Sequence, residues 1–179
     1  MSNTNNNLEI ERKFLVTSDA FRALATKTVR IKQGYLSTNE KSTIRVRRWD
    51  DQAFLTIKSR GEAGSCAHFE WEREITPADA EALFPLVQSG LIDKTRYIVP
   101  ISGSASGLTS NSPQGGLFFE VDVFHGENEG LILAEVELHS EDETFERPSF
   151  LGEEVTQDKR YYNSYLSQHP YSGWATLIE

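Results

Sequence analysis

The chain holds a single cysteine, Cys66, which excludes both an intrachain disulfide framework and a multi-cysteine zinc site. Its Gly-Ser-Cys-Ala surroundings read as a loop, with the thiol incidental. No apolar run reaches the roughly 18 residues of a membrane-spanning helix, so no membrane partner is expected. The opening MSNTNNNLEIERKF lacks the apolar core of a secretory signal. These absences together point to the cytoplasm. A basic surplus is also missing: 18 Lys and Arg stand against 27 Asp and Glu, a net charge of −9, the opposite of a nucleic-acid-binding domain. Neither a G-x-x-x-x-G-K-[ST] loop nor a dinucleotide fingerprint occurs, so any phosphate binding must rest on side chains. No Ser/His/Asp or Cys/His arrangement is evident.

What is present is period-two alternation. Across 179 residues, the length of one domain, it marks eight strands: 8–15, 30–37, 42–49, 53–60, 68–75, 94–99, 117–124 and 131–139. Helices are expected at about 17–26, capped by Thr17 or Ser18, at 77–87 behind Thr76-Pro77, and at 159–168. Residues 1–7 read as a disordered start, and 101–116 (ISGSASGLTSNSPQGG) as a Gly/Ser-rich loop inserted between two strands.

Residues at i and i+2 share a strand face, and here the charges sort by face. Glu9, Glu11 and Lys13 share one face of the first strand. Arg45 and Arg47 oppose Ile44 and Val46; Lys58 and Arg60 oppose Leu55 and Ile57. Glu70, Glu72 and Glu74 oppose Phe69, Trp71 and Ile75. Lys94 and Arg96 oppose Tyr97 and Val99, Glu120 and Asp122 oppose Val121 and Val123, and Glu135 and Glu137 oppose Val136 and Leu138. A wet outer face would explain any one of these strands. Repeated same-sign pairs cost stability, so the whole set indicates a site for something with both metal and anion character. With the charged faces inward and the helices covering apolar exteriors, the expected fold is α+β: an eight-stranded antiparallel β-barrel tunnel with a charged, hydrated interior.

The stretch Glu9-Ile-Glu11-Arg-Lys13 at the head of the first strand resembles the ExExK signature of the CYTH superfamily, the triphosphate tunnel metalloenzymes. Thr-Ile-Arg45-Val-Arg47, Leu-Thr-Ile-Lys58, Lys94-Thr-Arg96-Tyr97, Glu120-Val-Asp122 and Glu135-Val-Glu137-Leu follow in the family's order. FHGENEGL (124–131) and GEEVTQDKRYYNSYL (152–166) are similar to the small bacterial members. The departure is the 101–116 insertion. The resemblance covers about residues 8–174 and implies a tunnel fold and metal-dependent hydrolysis of inorganic triphosphate.

A triphosphate is rich in charge and acceptor oxygens, which suit guanidinium and ammonium groups. Lys13, Arg45, Arg47, Lys58, Lys94 and Arg96 are therefore the candidate phosphate ligands, with Arg60 and Arg160 weaker ones. Carboxylates repel phosphate unless Mg²⁺ or Mn²⁺ bridges the two. By resemblance Glu9 and Glu11 with Glu135 and Glu137 form a metal site, and Glu9 and Glu11 serve catalysis. Glu120 and Asp122, with Glu70, Glu72 or Glu74, are candidates for a second, giving two ions per site. Lys94 is a candidate base, its pKa lowered by neighbouring cations. Tyr35 is a candidate for positioning phosphate or water, balanced against a role as a strand aromatic. The paired Glu153-Glu154 reads as helix-flanking charge.

Three other functions remain open on sequence: a class IV adenylyl cyclase, a thiamine or nucleoside triphosphatase, and a non-catalytic polyphosphate-binding module. A ligand-free acidic barrel is the residual reading. Uncovered apolar strand faces point to a homodimer. The proposed tunnel face holds nine acids and seven bases, a balance that two divalent cations would turn positive.

Overall fold

The computed structural model describes residues 8–39, 41–59, 67–101 and 116–175, without the side chains of residues 8, 9, 67 and 68. The expected disordered start, Arg60, Cys66 and most of the 101–116 insertion lie outside the described residues. Nine strands form one antiparallel sheet: β1 (Leu8–Val16), β2 (Lys27–Thr38), β3 (Ser42–Trp49), β4 (Gln52–Ser59), β5 (Ala67–Ile75), β6 (Ile92–Pro100), β7 (Phe118–Phe124), β8 (Ile132–Leu138) and β9 (Leu151–Glu154). Their order is β5-β4-β3-β2-β6-β7-β8-β1-β9, and β5 also pairs with β1. That last pairing is brief, Leu8↔Phe69 to Ile10↔Ala67, yet it brings eight strands round into a circuit.

The alternation places the two faces as expected. Arg45, Lys94, Arg96, Asp122 and Glu135 turn inward, and the outward residues build two apolar layers. One contains Phe14, Val99, Phe119, Val121 and Val136, covered by Phe21, Phe145 and Phe150. The rings meet edge to face, Phe119 with Phe145 at 5.5 Å and with Phe150 at 5.9 Å between centroids, the geometry that aromatic quadrupoles favour. The other layer joins Val46 and Ala53 to Ala80 and Phe84.

Helices give less of this cover than the sequence implied. α1 (Phe21–Leu24) is four residues long and has no side-chain cap, and only Phe21 is buried. Thr17, the expected cap, instead bonds the Phe150 carbonyl through its amide at 2.9 Å and its hydroxyl at 3.2 Å. The irregular 139–150 segment supplies the missing rings. α2 (Pro77–Leu83) starts as expected, with Thr76 and Asp79 in a reciprocal capping box and Pro at the start, but it stops short of 87 and passes into a 3-10 turn over Phe84–Leu86. The third expected helix is broken. A 3-10 turn, Lys159–Tyr161, leads to extended Tyr162 and then α3 (Asn163–Leu166). The pair Glu153-Glu154, expected to flank a helix, instead ends β9, which pairs with β1 at Phe14↔Glu154 and Val16↔Leu151. Its Glu154 accepts two bonds from the Arg12 guanidinium, at 2.9 and 2.5 Å.

The segment after α2 packs close on β2. A methyl group at Gly34 would stand 2.5 Å from Val87 Cγ2 and 2.8 Å from Leu91 Cδ2. Gly34→Ala is expected to destabilise the protein by about 1–3 kcal/mol, the usual range for overpacking. A urea midpoint equal to that of the native protein would refute this. The outer face of β4 and β5 is the exception to apolar cover: Ile57, Phe69 and Trp71 are 37%, 48% and 36% exposed.

Candidate active site

Because the strands are antiparallel, one end of the tunnel gathers the start of β6 and the ends of β7 and β1. There Ile92, Phe124 and Leu133 pack against Val155, Tyr161 and Leu166 of the C-terminal segment, which closes that end. The closure also enters the site. Asn163 Oδ1 accepts from Lys94 Nζ at 3.1 Å, and the Tyr161 carbonyl accepts from Lys13 Nζ at 3.4 Å. The Tyr162 ring lies 5.0 Å from the same ammonium.

Three ionic groups line the wall. The first joins β6, β7 and β8. Lys94 Nζ donates to Asp122 at 2.6 Å. Arg96 grips the same carboxylate through two donors at 2.7 Å, and also pairs with Glu120 and, at 3.4 Å, with Glu135. Lys94 is 1% exposed and Asp122 likewise 1%, so these charges are sustained by one another. In the second group Lys13 pairs with Glu135 at 2.8 Å. The third joins β3, β4 and β5. Arg47 donates to Glu72 at 3.0 Å and Thr56 to the same oxygen at 2.6 Å, while Arg45 donates to Thr56 at 3.2 Å. Lys58 approaches Glu70 at 3.4 Å and Glu11 at 3.7 Å. Tyr35, buried beside this group, accepts from Gln33 Nε2 at 3.3 Å.

Protonation follows from these contacts. Burial pushes Lys94 down to about 8, against the opposing pull of Asp122, with Arg96 adding to the fall. Burial thus outweighs the neighbouring cations that the sequence suggested. Burial and then Arg45 lower Arg47 to about 10. Burial disfavours the charges on Lys13 and Arg96, but the facing carboxylates outweigh it and hold both above their ordinary values. Burial raises Glu120. For Asp122 and Glu135 burial is overcome by their cationic partners, and both are lowered.

The structure therefore brings Lys13, Lys94, Arg96, Glu120, Asp122 and Glu135 together on one wall, and Arg45, Arg47, Lys58, Glu70 and Glu72 on the facing one. Glu11 stands directly across from Glu137 between β1 and β8, and Glu74 across from Phe54. Glu9 lies in β1 opposite His68, its side chain outside the described residues. Arg160 is apart from the tunnel: it is exposed and pairs with Asp158 at 2.6 Å. Sequence reasoning did not single out Asn163, Gln33, Thr56 or Trp49. Gln33 and Thr56 carried a signal, since they share strand parity with Tyr35 and Lys58. Asn163 carried none.

Among the described residues no three His, Cys, Asp or Glu side chains converge as a metal cage. The Glu11–Glu137 pair with Glu135 nearby is nonetheless compatible with magnesium. That ion keeps several waters and takes one or two carboxylates plus substrate phosphate oxygens.

A sheet circuit whose inner wall carries buried cations of fixed geometry, balanced by carboxylates, defines a β-tunnel protein with a charged interior. The chain belongs to the CYTH domain family, which matches residues 7–168. It is 39% identical over 167 residues to an inorganic triphosphatase of Acetivibrio thermocellus, covering 93% of this chain and 97% of that one. An inorganic triphosphatase of Nitrosomonas europaea is 39% identical over 162 residues, covering 89% and 96%. A crystal structure of an inorganic triphosphatase superposes with a TM-score of 0.57 at 37% identity, covering 89% and 93%. A Pyrococcus horikoshii protein shares the fold at 18% identity and a TM-score of 0.54, covering 75% and 80%.

Proposed function

We propose that the protein hydrolyses inorganic triphosphate to pyrophosphate and phosphate with the help of divalent metal. One observation carries this reading most. The buried Nε atoms of Arg45 and Arg47 have no hydrogen-bond partner among the described residues. A guanidinium can only donate, and an unpaired buried donor costs about 1–3 kcal/mol, so the wall is complementary to a ligand made of acceptor oxygens. The 39% identical relatives named inorganic triphosphatase support the same substrate.

In this reading Arg45, Arg47 and Lys58 hold the phosphates from one wall, and Lys13, Lys94 and Arg96 from the other. Glu9, Glu11, Glu135 and Glu137 hold a divalent cation, Mg²⁺ or Mn²⁺. Bound there, such a cation neutralises phosphate charge and acidifies water. Lys94, held by Asp122 and Asn163 and neutral above about 8, takes the proton from the attacking water. The water oxygen bonds the terminal phosphorus, the bridging P–O bond breaks, and pyrophosphate leaves. Tyr35 beside Arg45 orients water or phosphate. Glu120 and Asp122 act chiefly as counter-charges to Arg96, and a second ion would have to compete with that pairing. The reaction belongs in the cytoplasm, and the exposed Ile57, Phe69 and Trp71 favour a homodimer.

The test offers purified protein tripolyphosphate, ATP, thiamine triphosphate and pyrophosphate, each with Mg²⁺, Mn²⁺ or excess chelator. Phosphate release is expected from tripolyphosphate above all, falling to background with chelator. Cyclic AMP from ATP would make the protein a cyclase. Tight binding without turnover would make it a binding module.

A further inference from the structure

Arg45, Arg47 and Trp49 occupy alternate positions of β3, so their side chains share the tunnel face. Trp49 belongs to that face by contact as well. Its ring lies 5.9 Å from that of Phe54 at an interplanar angle of 62°, and 5.1 Å from the Arg47 guanidinium. All three residues bury one N–H without a partner among the described residues: Nε of Arg45, Nε of Arg47 and Nε1 of Trp49. The two arginines have other donors in use. Trp49 has one polar atom, and it is unmet. Indole N–H groups usually find a partner when buried.

The three donors form a row about 13 Å long at roughly 3.3 Å per residue. Trp49 is the last of the row and the last residue of β3. Antiparallel order puts that end of the tunnel opposite the one closed by Tyr161 and Leu166. Lys27, at the same end and of the same parity through its place across from Ile98, brings its ammonium within 5.8 Å of the Trp49 ring. The indole is thus held between two cations and an aromatic edge, its N–H fixed at the tunnel mouth opposite the C-terminal closure.

We propose that Trp49 is a specificity-determining residue that donates its indole N–H to the mouth-side terminal phosphoryl group of the substrate, selecting an unesterified triphosphate over a triphosphate ester. The inference rests on the triphosphatase reading above. An unesterified end offers three charged oxygens to one fixed donor, with Lys27 adding charge. An ester end has fewer free oxygens and must place its organic group where the rings of Trp49 and Phe54 stand.

The experiment compares kcat/KM for tripolyphosphate and for ATP in the native protein, Trp49→Phe, Trp49→His and Phe54→Leu. Losing a hydrogen bond to a charged partner corresponds to about tenfold or more in binding. Trp49→Phe is therefore expected to lower kcat/KM for tripolyphosphate about tenfold while ATP changes less than about threefold. Trp49→His, which retains a ring N–H, should keep most of the native preference; it decides the matter if the phenylalanine variant fails to fold. Phe54→Leu, which disturbs packing and leaves the indole, should shift both substrates alike. An equal fall for both substrates in Trp49→Phe, or no change in either, overturns the proposal. So does a larger fall for ATP, which would mean that the indole reads an organic group. A folded native protein inert to tripolyphosphate with every metal overturns the triphosphatase reading itself, and this inference with it.

Discussion

Replacing Lys94 by alanine is expected to lower kcat by about 10²–10⁴, the range that a positioned general base supplies. Lys94 is the only ammonium buried to 1% in the tunnel wall, among the described residues, and two named acceptors hold it. The native rate should rise with pH through about 8, where the buried amine loses its proton, and the variant should lack that limb. Stability gives a second readout. The folded pKa lies below the ordinary 10.5, so between about 8 and 10.5 the unfolded chain binds more protons. Stability should rise with pH across that window in the native protein, and Lys94→Ala should lose this rise. The fold should persist, because Asp122 keeps both bonds from Arg96. A Lys94→Ala enzyme with full rate across pH would end the base assignment.

The residues differ in how far sequence alone could place them. Strand parity is a backbone property, so the inward turn of Arg45, Arg47, Lys94, Arg96 and Asp122 was readable from alternation. Which charge meets which depends on the stagger of strands around the circuit. Parity does not encode that stagger, so the grip of Arg96 on Asp122 and of Lys13 on Glu135 was not legible. The carboxylates were read as metal ligands in want of a cation. Several of them already have one, supplied by the opposite rows. The closure by Tyr161, Tyr162 and Asn163 was hidden for another reason. Its short turns owe their form to packing against the tunnel end, which no helical period signals. Trp49 was passed over because an aromatic in a strand usually means packing, and only the unmet indole N–H sets it apart.

Arg96→Ala is the second large effect, and it should fall on stability as well as on rate. Among the described residues the Arg96 guanidinium is the one group that touches Asp122, Glu120 and Glu135 together. Removing it leaves three carboxylates on one wall, with Lys94 beside Asp122, Lys13 beside Glu135 and the Arg47 charge acting on Glu120. Breaking a buried ion pair from one side costs about 3–5 kcal/mol, so a marked drop in urea midpoint is expected. Its pH dependence distinguishes lost charge from lost packing. In the native protein Arg96 and Lys94 hold Asp122 below 3.8, so the pair's stabilisation is present above that pH and fades as pH falls through the lowered value. Without Arg96, burial would lift Asp122 as it already lifts Glu120, and the folded state would bind extra protons. The variant should then lose stability as pH rises through the lifted values, and approach the native protein most closely in mild acid. Arg96→Lys keeps the charge without the two-pronged grip and should fall between the two in both midpoint and kcat/KM. A deficit for Arg96→Ala that is the same at every pH would assign its role to packing of the guanidinium stem. A deficit that closes in acid would establish Arg96 as the charge that allows three acids to share one wall of the tunnel.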